Sequence, residues 1–454
     1  MSGDSLAAYF KFAERGTNLA TEVRAGVTTF MVMAYIVFLN PIILTAGFGT
    51  ADPDFTVPAL AAATALVAGV MTIAMGVVAN YPFALAAGLG INAVVAFSLI
   101  GRGLTPAGAM GVIVLEGLIV TVLVLAGLRE AIMNAVPLAL KRSIGVGIGL
   151  FILFIGFANG GLIVAGSGTL VTPSYPTTPS QFVFLIGLVI TIALWALKVR
   201  AALIISIVAT TLIGLIPAAL GQAAVTVIPT EFALTPSFST LGQFDLGNVF
   251  TLAPLVAVLV IFSIMLTDFF DTMGTVTGVA AEAGLAEKDG SVPGVGRVLL
   301  VDSVAAFAGG LAGTSSNTTY IESAAGVAEG GKTGFTAVVT GVLFLFAIFL
   351  APIAGIVPGV ATAPALVLVG YLMFTLVRDI PVDNVEDGLP ALLTMILMPL
   401  TYDITVGIGA GFMSWVLIKV VKGKAGEVHP LMWLVAIAFI VFFGQEWLPT
   451  LLPS

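Results

Sequence analysis

The chain has 454 residues, of which 59% are hydrophobic and only 9% are charged, and its net charge is −8. A soluble globular domain carries roughly 25% charged residues, so this composition excludes an ordinary soluble enzyme and a disordered chain. The 16 basic residues are too few and too dispersed for a nucleic-acid-binding patch. The sequence has no cysteine and one histidine, which excludes disulfides, thiolate sites and a histidine-based metal cluster.

Apolar runs separated by short polar breaks follow one another along the chain. A bilayer span needs about 20 apolar residues, and the periodicity is helical or absent rather than the short alternation of a membrane β-barrel. The sequence therefore predicts a polytopic helical membrane protein. We place the runs at 26–46, 58–79, 83–98, 107–127, 141–158, 181–198, 201–220, 251–276, 297–312, 317–329, 333–355, 358–377, 386–400, 403–421 and 430–449.

Basic residues predict the orientation of these runs. Lys11, Arg15 and Arg24 precede the first run, which places the N-terminus in the cytoplasm because Lys and Arg concentrate in cytoplasmic loops. Arg102 is an exception, since it falls on the predicted outer side. The stretches without Lys or Arg that we predict to be external are 47–57, 159–180, 221–248 and 356–361.

Two segments, residues 80–92 and 313–326, are poor continuous transmembrane helices. Both begin extended and polar or proline-marked, and both then become rich in glycine and alanine. Non-helical backbone at membrane depth is tolerated only where it lines a cavity or is buried in protein. Interrupted segments in corresponding places of two halves indicate a transporter binding site. Each segment is the third element of its half, and an odd number of spans per half makes the halves inverted.

The predicted organisation has five parts. They are a cytoplasmic N-terminus (1–25), a first inverted repeat (26–220), an external linker (221–248), a second inverted repeat (249–421) and a C-terminal segment (422–454) with an additional apolar helix. The last run, 430–449, is one element more than the repeats require. It is either an extra span or an interfacial helix.

Five acidic side chains lie inside predicted spans, whereas the basic residues lie at or near span ends. The five are Glu116, Asp268, Asp271, Asp302 and Glu322. An ionisable group at the bilayer centre costs at least about 2.5–3.5 kcal/mol, so these residues predict a role with protons, cations or a polar substrate. Asp302 and Glu116 are candidate proton relays, although a neighbouring hydroxyl or backbone group could equally satisfy each of them.

Asp268 and Asp271 are spaced i, i+3, which places both carboxylates on one helix face with Cβ atoms about 5–6 Å apart. Two carboxylates this close in a low dielectric should not both be ionised. The pair is therefore a candidate proton acceptor. The alternative is that one Asp only forms a hydrogen bond with a neighbouring helix end.

The broken segments carry three further candidates. Glu322 lies where an extended stretch turns into a helix, so its carboxylate is predicted beside free N–H donors, an arrangement that suits a flat ligand with donors and acceptors. Asn92 offers both a donor and an acceptor, and Phe83 is a candidate for stacking on a ligand. The alternatives are a helix-capping carboxylate, a helix-packing amide and a packed ring, respectively.

Motifs spread over nearly the whole chain resemble those of the AzgA-like purine permeases, within the nucleobase-cation symporter-2 (nucleobase–ascorbate transporter) superfamily. The matching stretches are 16–30 (GTNLATEVRAGVTTF), 33–36 (MAYI), 80–85 (NYPFAL), 267–275 (TDFFDTMGT), 320–327 (YIESAAGV), 330–334 (GGKTG) and 397–401 (LMPLT).

The resemblance implies an all-α polytopic membrane protein with 14 transmembrane segments arranged as 7+7 inverted repeats. Segments three and ten would each begin as a short strand and meet near the midplane. The implied core domain covers about 26–127 plus 249–355, and the implied gate domain covers about 129–220 plus 358–421.

The resemblance also implies an activity, which is the import of hypoxanthine, guanine or adenine together with protons across the cell (inner) membrane. The proton would be the coupling ion, with no cofactor or metal. Expected partners are the purine nucleobase and membrane lipid, with a homodimer as a further expectation. By motif position, Asp268 and Glu322 would bind the purine, and Asp271 and Asn92 would support the site or contact the substrate. The main chain at Ile321 and at residues 83–86 would contact the base.

Alternatives remain open from the residues alone. A related carrier could take another nucleobase, such as uracil or xanthine, or a small anion, although an anion site would favour positive charge that the spans lack. A passive channel is disfavoured by the paired broken segments. An intramembrane aspartyl protease would need two Asp on facing helices in a Gly-x-Gly-Asp setting, and the sequence contains no such motif.

Overall fold

The structure is a computed structural model that describes residues 3–49, 52–127, 135–228, 235–287 and 291–444. The predicted start of the gate domain at 129, residues 229–234 of the predicted linker and the end of the predicted run 430–449 lie outside the described residues.

Helices dominate because the long apolar runs must satisfy their backbone hydrogen bonds internally. In the first half the α-helices are α1 (Gly3–Tyr9), α2 (Phe12–Arg15), α3 (Leu19–Met33), α4 (Ile36–Phe48), α5 (Val57–Ala74), α6 (Leu89–Ala93), α7 (Pro106–Leu125), α8 (Leu138–Asn159), α9 (Pro179–Ala196), α10 (Ala202–Ile213) and α11 (Ile216–Ala219). In the second half they are α12 (Leu246–Val249), α13 (Pro254–Glu282), α14 (Val295–Leu311), α15 (Ser323–Ala328), α16 (Gly334–Ala347), α17 (Gly359–Phe374), α18 (Val385–Thr401), α19 (Ile404–Val421) and α20 (Pro430–Gly444).

Shorter helical forms extend several of these helices. Two π-helical stretches, Met75–Ala79 and Val94–Leu99, follow α5 and α6 directly. The 3₁₀ stretches are Ile348–Ile356, Thr375–Asp379 and Ala425–Glu427. Within the described residues, ten helical stretches are long and apolar enough to cross a membrane. The chain is therefore a multi-pass membrane protein, as predicted, while the count of fourteen segments stays a prediction.

The first span begins earlier than predicted. The sequence places its start at residue 26, whereas the helical stretch runs over Leu19–Phe48. The reason is local, because the side chain of Asn18 accepts a hydrogen bond from the backbone N–H of Thr21 and caps α3. Part of the predicted cytoplasmic N-terminus thus belongs to the first membrane helix.

The two broken segments pair with each other through short strands, and we call this pairing the strand crossing. Strands β1 (Leu85–Ala87) and β4 (Asn317–Thr319) are antiparallel, with Ala86 opposite Thr318. The pairing extends past both ends of the strands, because Gly88 N–H donates to Ser316 O at 2.9 Å and Tyr320 N–H donates to Ala84 O at 2.9 Å. Both strands are buried. The non-helical backbone of each segment is therefore satisfied largely by the other.

A second strand pair lies away from this crossing and was not predicted. Strands β2 (Ile163–Ala165) and β3 (Val171–Pro173) form an antiparallel hairpin in the predicted external stretch 159–180. Its residues are mostly exposed. The fold is thus helical with two small strand pairs.

Helices from the two halves pack on each other in two groups. In one group α16 packs on α3 and α5, and α14 packs on α7. In the other group α8 packs on α17 and α18, and α18 packs on α19. The strand crossing belongs to the first group, since β4 contacts α14 and β1 contacts α5.

Glu22 ties α3 to the start of α16. Glu22 was predicted to lie in the cytoplasmic N-terminus, but its carboxylate is fully buried. It accepts hydrogen bonds from the hydroxyls of Thr333 at 2.7 Å and Thr336 at 2.6 Å, and from the backbone N–H of Lys332 at 3.0 Å. The carboxylate also accepts from the backbone N–H of Thr336 at 3.2 Å, in the first turn of α16, where N–H groups have no α-helical partner of their own.

Candidate functional site

Glu322 lies between β4 and α15, at the end of the second broken segment. The hydroxyl of Tyr35 donates a hydrogen bond to its Oε1 atom at 2.7 Å. Tyr35 is fully buried and lies at the break between α3 and α4. Tyr35 was not among the predicted site residues. The available signal was a tyrosine inside an otherwise apolar run.

Asp268 and Asp271 both lie on α13, as their spacing predicts, but their environments differ. Asp268 is fully buried, whereas the side chain of Asp271 is exposed. Positions i and i+3 are about 60° apart around a helix, enough to turn one carboxylate into the protein and the other out of it. The expected pair in one shared environment is therefore corrected to one buried and one accessible carboxylate.

The exposed Asp271 lies where α13 approaches the start of α15, and we call the space between these two helices the cleft. Asp271 lies close enough to Glu322 and Asp302 to interact electrostatically with both. Further along α13, a Cβ atom added to Gly278 would lie 3.9 Å from Cδ1 of Ile321. Ile321 is 54% exposed. Asp271, Ile321 and Glu322 thus face one accessible space.

Asp302 is a buried anchor for β4. Its Oδ1 atom accepts hydrogen bonds from Thr319 N–H at 3.0 Å and from the Thr319 hydroxyl at 2.9 Å. Its Oδ2 atom accepts from the hydroxyl of Thr272 on α13 at 2.7 Å. Asp302 therefore fastens the strand to α13 and α14, and these contacts use it as an acceptor.

Thr72 on α5 anchors β1 by hydrogen bonds, as Asp302 anchors β4. Its hydroxyl accepts a hydrogen bond from Leu85 N–H at 2.9 Å and approaches Leu85 O at 3.1 Å. The two broken segments also contact each other outside the strands, since Ala84 N–H donates to the Ser323 hydroxyl at 2.9 Å. Each strand of the crossing is therefore hydrogen-bonded to a helix from its own half of the chain, β1 to α5 and β4 to α14.

Asn92 is the polar side chain of the first broken segment. It lies on α6 and is fully buried. Neither its amide nitrogen nor its amide oxygen has a hydrogen-bond partner among the described residues. An unsatisfied buried polar group costs about 1–3 kcal/mol, so an amide in this position is well suited to a ligand that supplies the missing donor and acceptor.

Phe83 does not lie where a stacking residue should. Its ring is fully buried and is stacked on Tyr81, with centroids 5.0 Å apart and planes at 17°. Both rings belong to a hydrophobic cluster with residues of α5, α13 and α14. The expected ligand-stacking role is corrected to core packing, because the ring face is already occupied.

Residues 20–410 match the Xan_ur_permease family, whose description is "Permease family". The chain belongs to this permease family. It is 40% identical to the guanine/hypoxanthine permease PbuG of Bacillus subtilis (strain 168), over 96% of this chain and 98% of that relative. It is 39% identical to the adenine permease AdeQ of Escherichia coli (strain K12), over 96% and 95%. The resemblance to AzgA-like nucleobase permeases is thereby confirmed, and the chain is a transporter rather than an enzyme.

The fold of the permease is similar to that of a solved transporter. The transmembrane domain of the cyanobacterial bicarbonate transporter BicA superposes with a TM-score of 0.60 at 15% sequence identity. The match covers 86% of this chain and 97% of that domain. At this identity the likeness concerns the fold alone.

Two further residues of the permease bear on the site. Glu116 is fully buried on α7, which packs on α14 and α13. Lys141 lies in the first turns of α8, and its ammonium is 5.6 Å from the centroid of the Phe270 ring, next to Asp271 in sequence. Lys141 was predicted only at a span end. Its approach to Phe270 was not predicted, because the long side chain of lysine carries its charge away from its backbone.

Proposed function

We propose that the permease is a proton-coupled symporter that imports purine nucleobases, namely hypoxanthine, guanine or adenine, across the cell (inner) membrane by alternating access. The observation that carries the proposal is the position of Glu322 beside Asp271 at the strand crossing, oriented by Tyr35. Carboxylates accept the ring N–H groups of a neutral planar base in charge-assisted hydrogen bonds. The purines in the relatives' names support this substrate class.

The proposed binding residues have separate tasks. Glu322 has one oxygen engaged by Tyr35 and presents the other to the base. Asn92 supplies an amide donor and acceptor, and Asp268 supplies a second carboxylate from α13. The main chain at Ile321 contacts the base at the mouth of the cleft.

Asp271 is the proposed proton carrier. Three neighbouring carboxylates do not all carry a negative charge, because each charge disfavours ionisation of the others. Asp302 accepts three hydrogen bonds from Thr319 and Thr272, which favours its charged form. Asp271 faces the accessible cleft, where a proton can arrive and leave. We therefore assign Asp302 a positioning role, and Glu116 on α7 is the remaining candidate relay.

The proposed architecture has fourteen membrane segments in two inverted repeats. The group of α3, α5, α7, α14 and α16 corresponds to the core domain, and the group of α8 and α17–α19 corresponds to the gate domain. The N-terminus is cytoplasmic, no cofactor takes part, and a homodimer is the proposed assembly. Alternating access then consists of movement of the core, with its strand crossing, against the gate.

The test is uptake of radiolabelled hypoxanthine, guanine and adenine into proteoliposomes, with and without an inward proton gradient. We expect gradient-driven accumulation by the wild-type protein and its loss in Glu322→Gln. We expect Asp271→Asn to exchange purine across the membrane without accumulating it, because exchange needs no net proton movement. Glu282→Gln, at the exposed end of α13, is the matched control and should resemble wild type.

An absence of uptake of all three purines by folded protein would contradict the purine assignment. Uptake of radiolabelled uracil, xanthine or bicarbonate would then identify the alternative, which is a related carrier for another nucleobase or for a small anion. Purine accumulation that is indifferent to the proton gradient would contradict the coupling but leave the substrate in place.

A further inference from the structure

We propose that the turn between α18 and α19, residues 401–403, is the external gate of the permease, and that it is closed in this structure onto the helical segment that begins with α6. This inference rests on the proposed alternating-access transport. It assigns a function to Arg102, Asp403 and Tyr402, which the binding site does not use.

An ion pair joins the two elements. The guanidinium of Arg102 pairs with Oδ2 of Asp403, and the two side chains are only 18% and 14% exposed. The same guanidinium lies 5.5 Å from the ring centroid of Phe442 on α20. Exposed ion pairs contribute little, but a pair withdrawn from water and placed over an aromatic ring contributes more. A basic residue on the predicted outer side, otherwise an exception to the charge rule, thus has a specific partner.

Tyr402 adds an aromatic contact beside the ion pair. Its ring meets those of Phe97, Phe151 and Phe154 edge-on, with centroids 6.1, 5.4 and 5.4 Å away. Phe97 belongs to the π-helical stretch after α6, and the other two belong to α8. Tyr402 has a φ of +55°, a conformation that costs free energy for a bulky residue and persists where the surroundings hold it.

At the end of the protein opposite the ion pair, α13 has an exposed face. On α13, Asp271, Gly274 and Gly278 are exposed and lead to the exposed Glu282 at the helix end. Among the described residues, nothing lies within 4 Å of a Cβ atom added to Gly274. The half of α13 before Asp271 is mostly buried. A carboxylate facing lipid is costly, so the accessible surface at Asp271 belongs to a water-filled cleft that opens toward the predicted cytoplasmic side.

The gate is mechanically joined to the binding site. Asn92, Phe97 and Arg102 lie on one continuous helical segment formed by α6, the π-helical stretch and the residues that follow. A base arriving from outside therefore requires Tyr402 and Asp403 to separate from the segment that carries Asn92. Releasing the turn opens the external path, and re-forming the contacts closes it.

A reversible cross-link tests this gate directly. The chain has no cysteine, so Arg102→Cys and Asp403→Cys can be combined in an otherwise unchanged protein. A bis-methanethiosulfonate reagent with a short spacer takes the place of the long arginine side chain, since a direct disulfide needs closely spaced backbones. We expect cross-linking to abolish hypoxanthine uptake into proteoliposomes and reduction to restore it. Each single cysteine variant treated with the reagent is the control.

Binding separates this result from a failure of the proposed function. The cross-linked protein should still bind hypoxanthine in detergent, measured by thermal stabilisation, because the cleft stays open on the other side. Full uptake by cross-linked protein, or no cross-link between the two cysteines, would overturn the gate. If the reduced double variant bound and transported no purine while the wild type did, the labelling experiment with Asp403→Asn would decide whether the gate exists. If the wild type itself transported no purine, the proposed function would fail first.

Asp403→Asn removes the charge but keeps the helix cap, because Asp403 Oδ1 also accepts from Thr405 N–H at 2.8 Å and asparagine caps equally well. In a Gly274→Cys background, we expect this change to lower maleimide labelling from the cytoplasmic side of inside-out vesicles several-fold, as the population shifts toward the outward-open state. Glu14→Gln is the matched control, because it removes a carboxylate charge from a pair with Lys11 that lies within one exposed segment, 52% and 65% exposed. It should leave labelling unchanged, as would Asp403→Asn if the proposal were wrong.

Discussion

At the scale of single residues, the hydrogen bond from Tyr35 to Glu322 makes a direct prediction. Tyr35→Phe keeps the buried ring and removes only the donor at 2.7 Å. Hydrogen bonds to charged groups contribute about 1.5–3 kcal/mol, so we expect the KM for purine uptake to rise about tenfold or more. Initial rates over a range of hypoxanthine concentrations measure this change.

Tyr175→Phe is the matched control for this change, because Tyr175 is 79% exposed and lies far along the chain from the crossing. Its KM should equal that of the wild type. An unchanged KM in Tyr35→Phe would show that Glu322 does not depend on this donor to bind the base.

The sequence identified most of the charged residues of the site but not their environments. The spacing of Asp268 and Asp271 predicted a shared helix, yet exposure depends on which neighbours α13 packs against, and spacing carries no such information. The partner of Glu322 is 287 positions away. Tyr35 and Lys141 were missed because an aromatic residue in an apolar run and a basic residue at a span end have ordinary explanations.

At the scale of elements, the attachment of β4 to Asp302 predicts the effect of Thr319→Val. The change removes the hydroxyl donor at 2.9 Å while nearly preserving volume. A buried acceptor that loses a donor costs about 1–3 kcal/mol, so we expect a lower unfolding temperature in detergent and a lower maximal rate of uptake. Proton coupling should persist, because Asp271 is unchanged.

Thr277→Val supplies the comparison for this element, since among the described residues the Thr277 hydroxyl donates only to main-chain oxygens of its own helix. Equal unfolding temperatures for the two variants would mean that Asp302 does not hold the strand. Loss of gradient dependence in Thr319→Val would instead place Asp302 in the proton path.

Element positions were predictable where composition changes sharply. Proline, glycine and polar residues marked both broken segments, since such residues disfavour a continuous helix. The pairing of Ala86 with Thr318 was beyond reach from the residues themselves, because a three-residue strand has no recognisable periodicity and its partner lies in the other half. The hairpin of β2 and β3 also escaped prediction, because each of its strands has only three residues. The early start of α3 depends on a single cap at Asn18.

At the scale of the whole molecule, Glu22 joins the two halves and predicts a loss of stability. Glu22→Gln places an amide donor among groups that are themselves donors, Thr333, Thr336 and Lys332 N–H. We expect a loss of about 1.5–3 kcal/mol in the free energy of unfolding, measured by thermal unfolding in detergent, with an unchanged KM in the protein that remains folded.

The control for Glu22 is Glu14→Gln. Glu14 is 65% exposed and pairs with Lys11 at the surface, and such pairs contribute about 0–1 kcal/mol. If both variants unfolded at the wild-type temperature, the contact between α3 and α16 would not depend on the buried carboxylate.

The orientation of the whole chain is testable because it contains no cysteine. Ser167→Cys places a thiol on the exposed hairpin loop, and Ala425→Cys places one after α19. We expect a membrane-impermeant maleimide to label Ser167→Cys in intact cells and Ala425→Cys only after permeabilisation. The reverse pattern would invert the proposed topology, and labelling of both in intact cells would place the two sites on one side.

The two π-helical stretches, Met75–Ala79 and Val94–Leu99, stand on either side of β1. A π-helix holds more residues per turn than an α-helix, so each stretch contains residues that a regular α-helix of the same length would not need. Passing one residue from the wide turn into regular helix moves the attached backbone by about 1.5 Å. The π-helical stretches on both sides of β1 can thus supply the chain length that a displacement of β1 requires. Strand β1 can move while α5 and α7 stay in place and no loop has to lengthen.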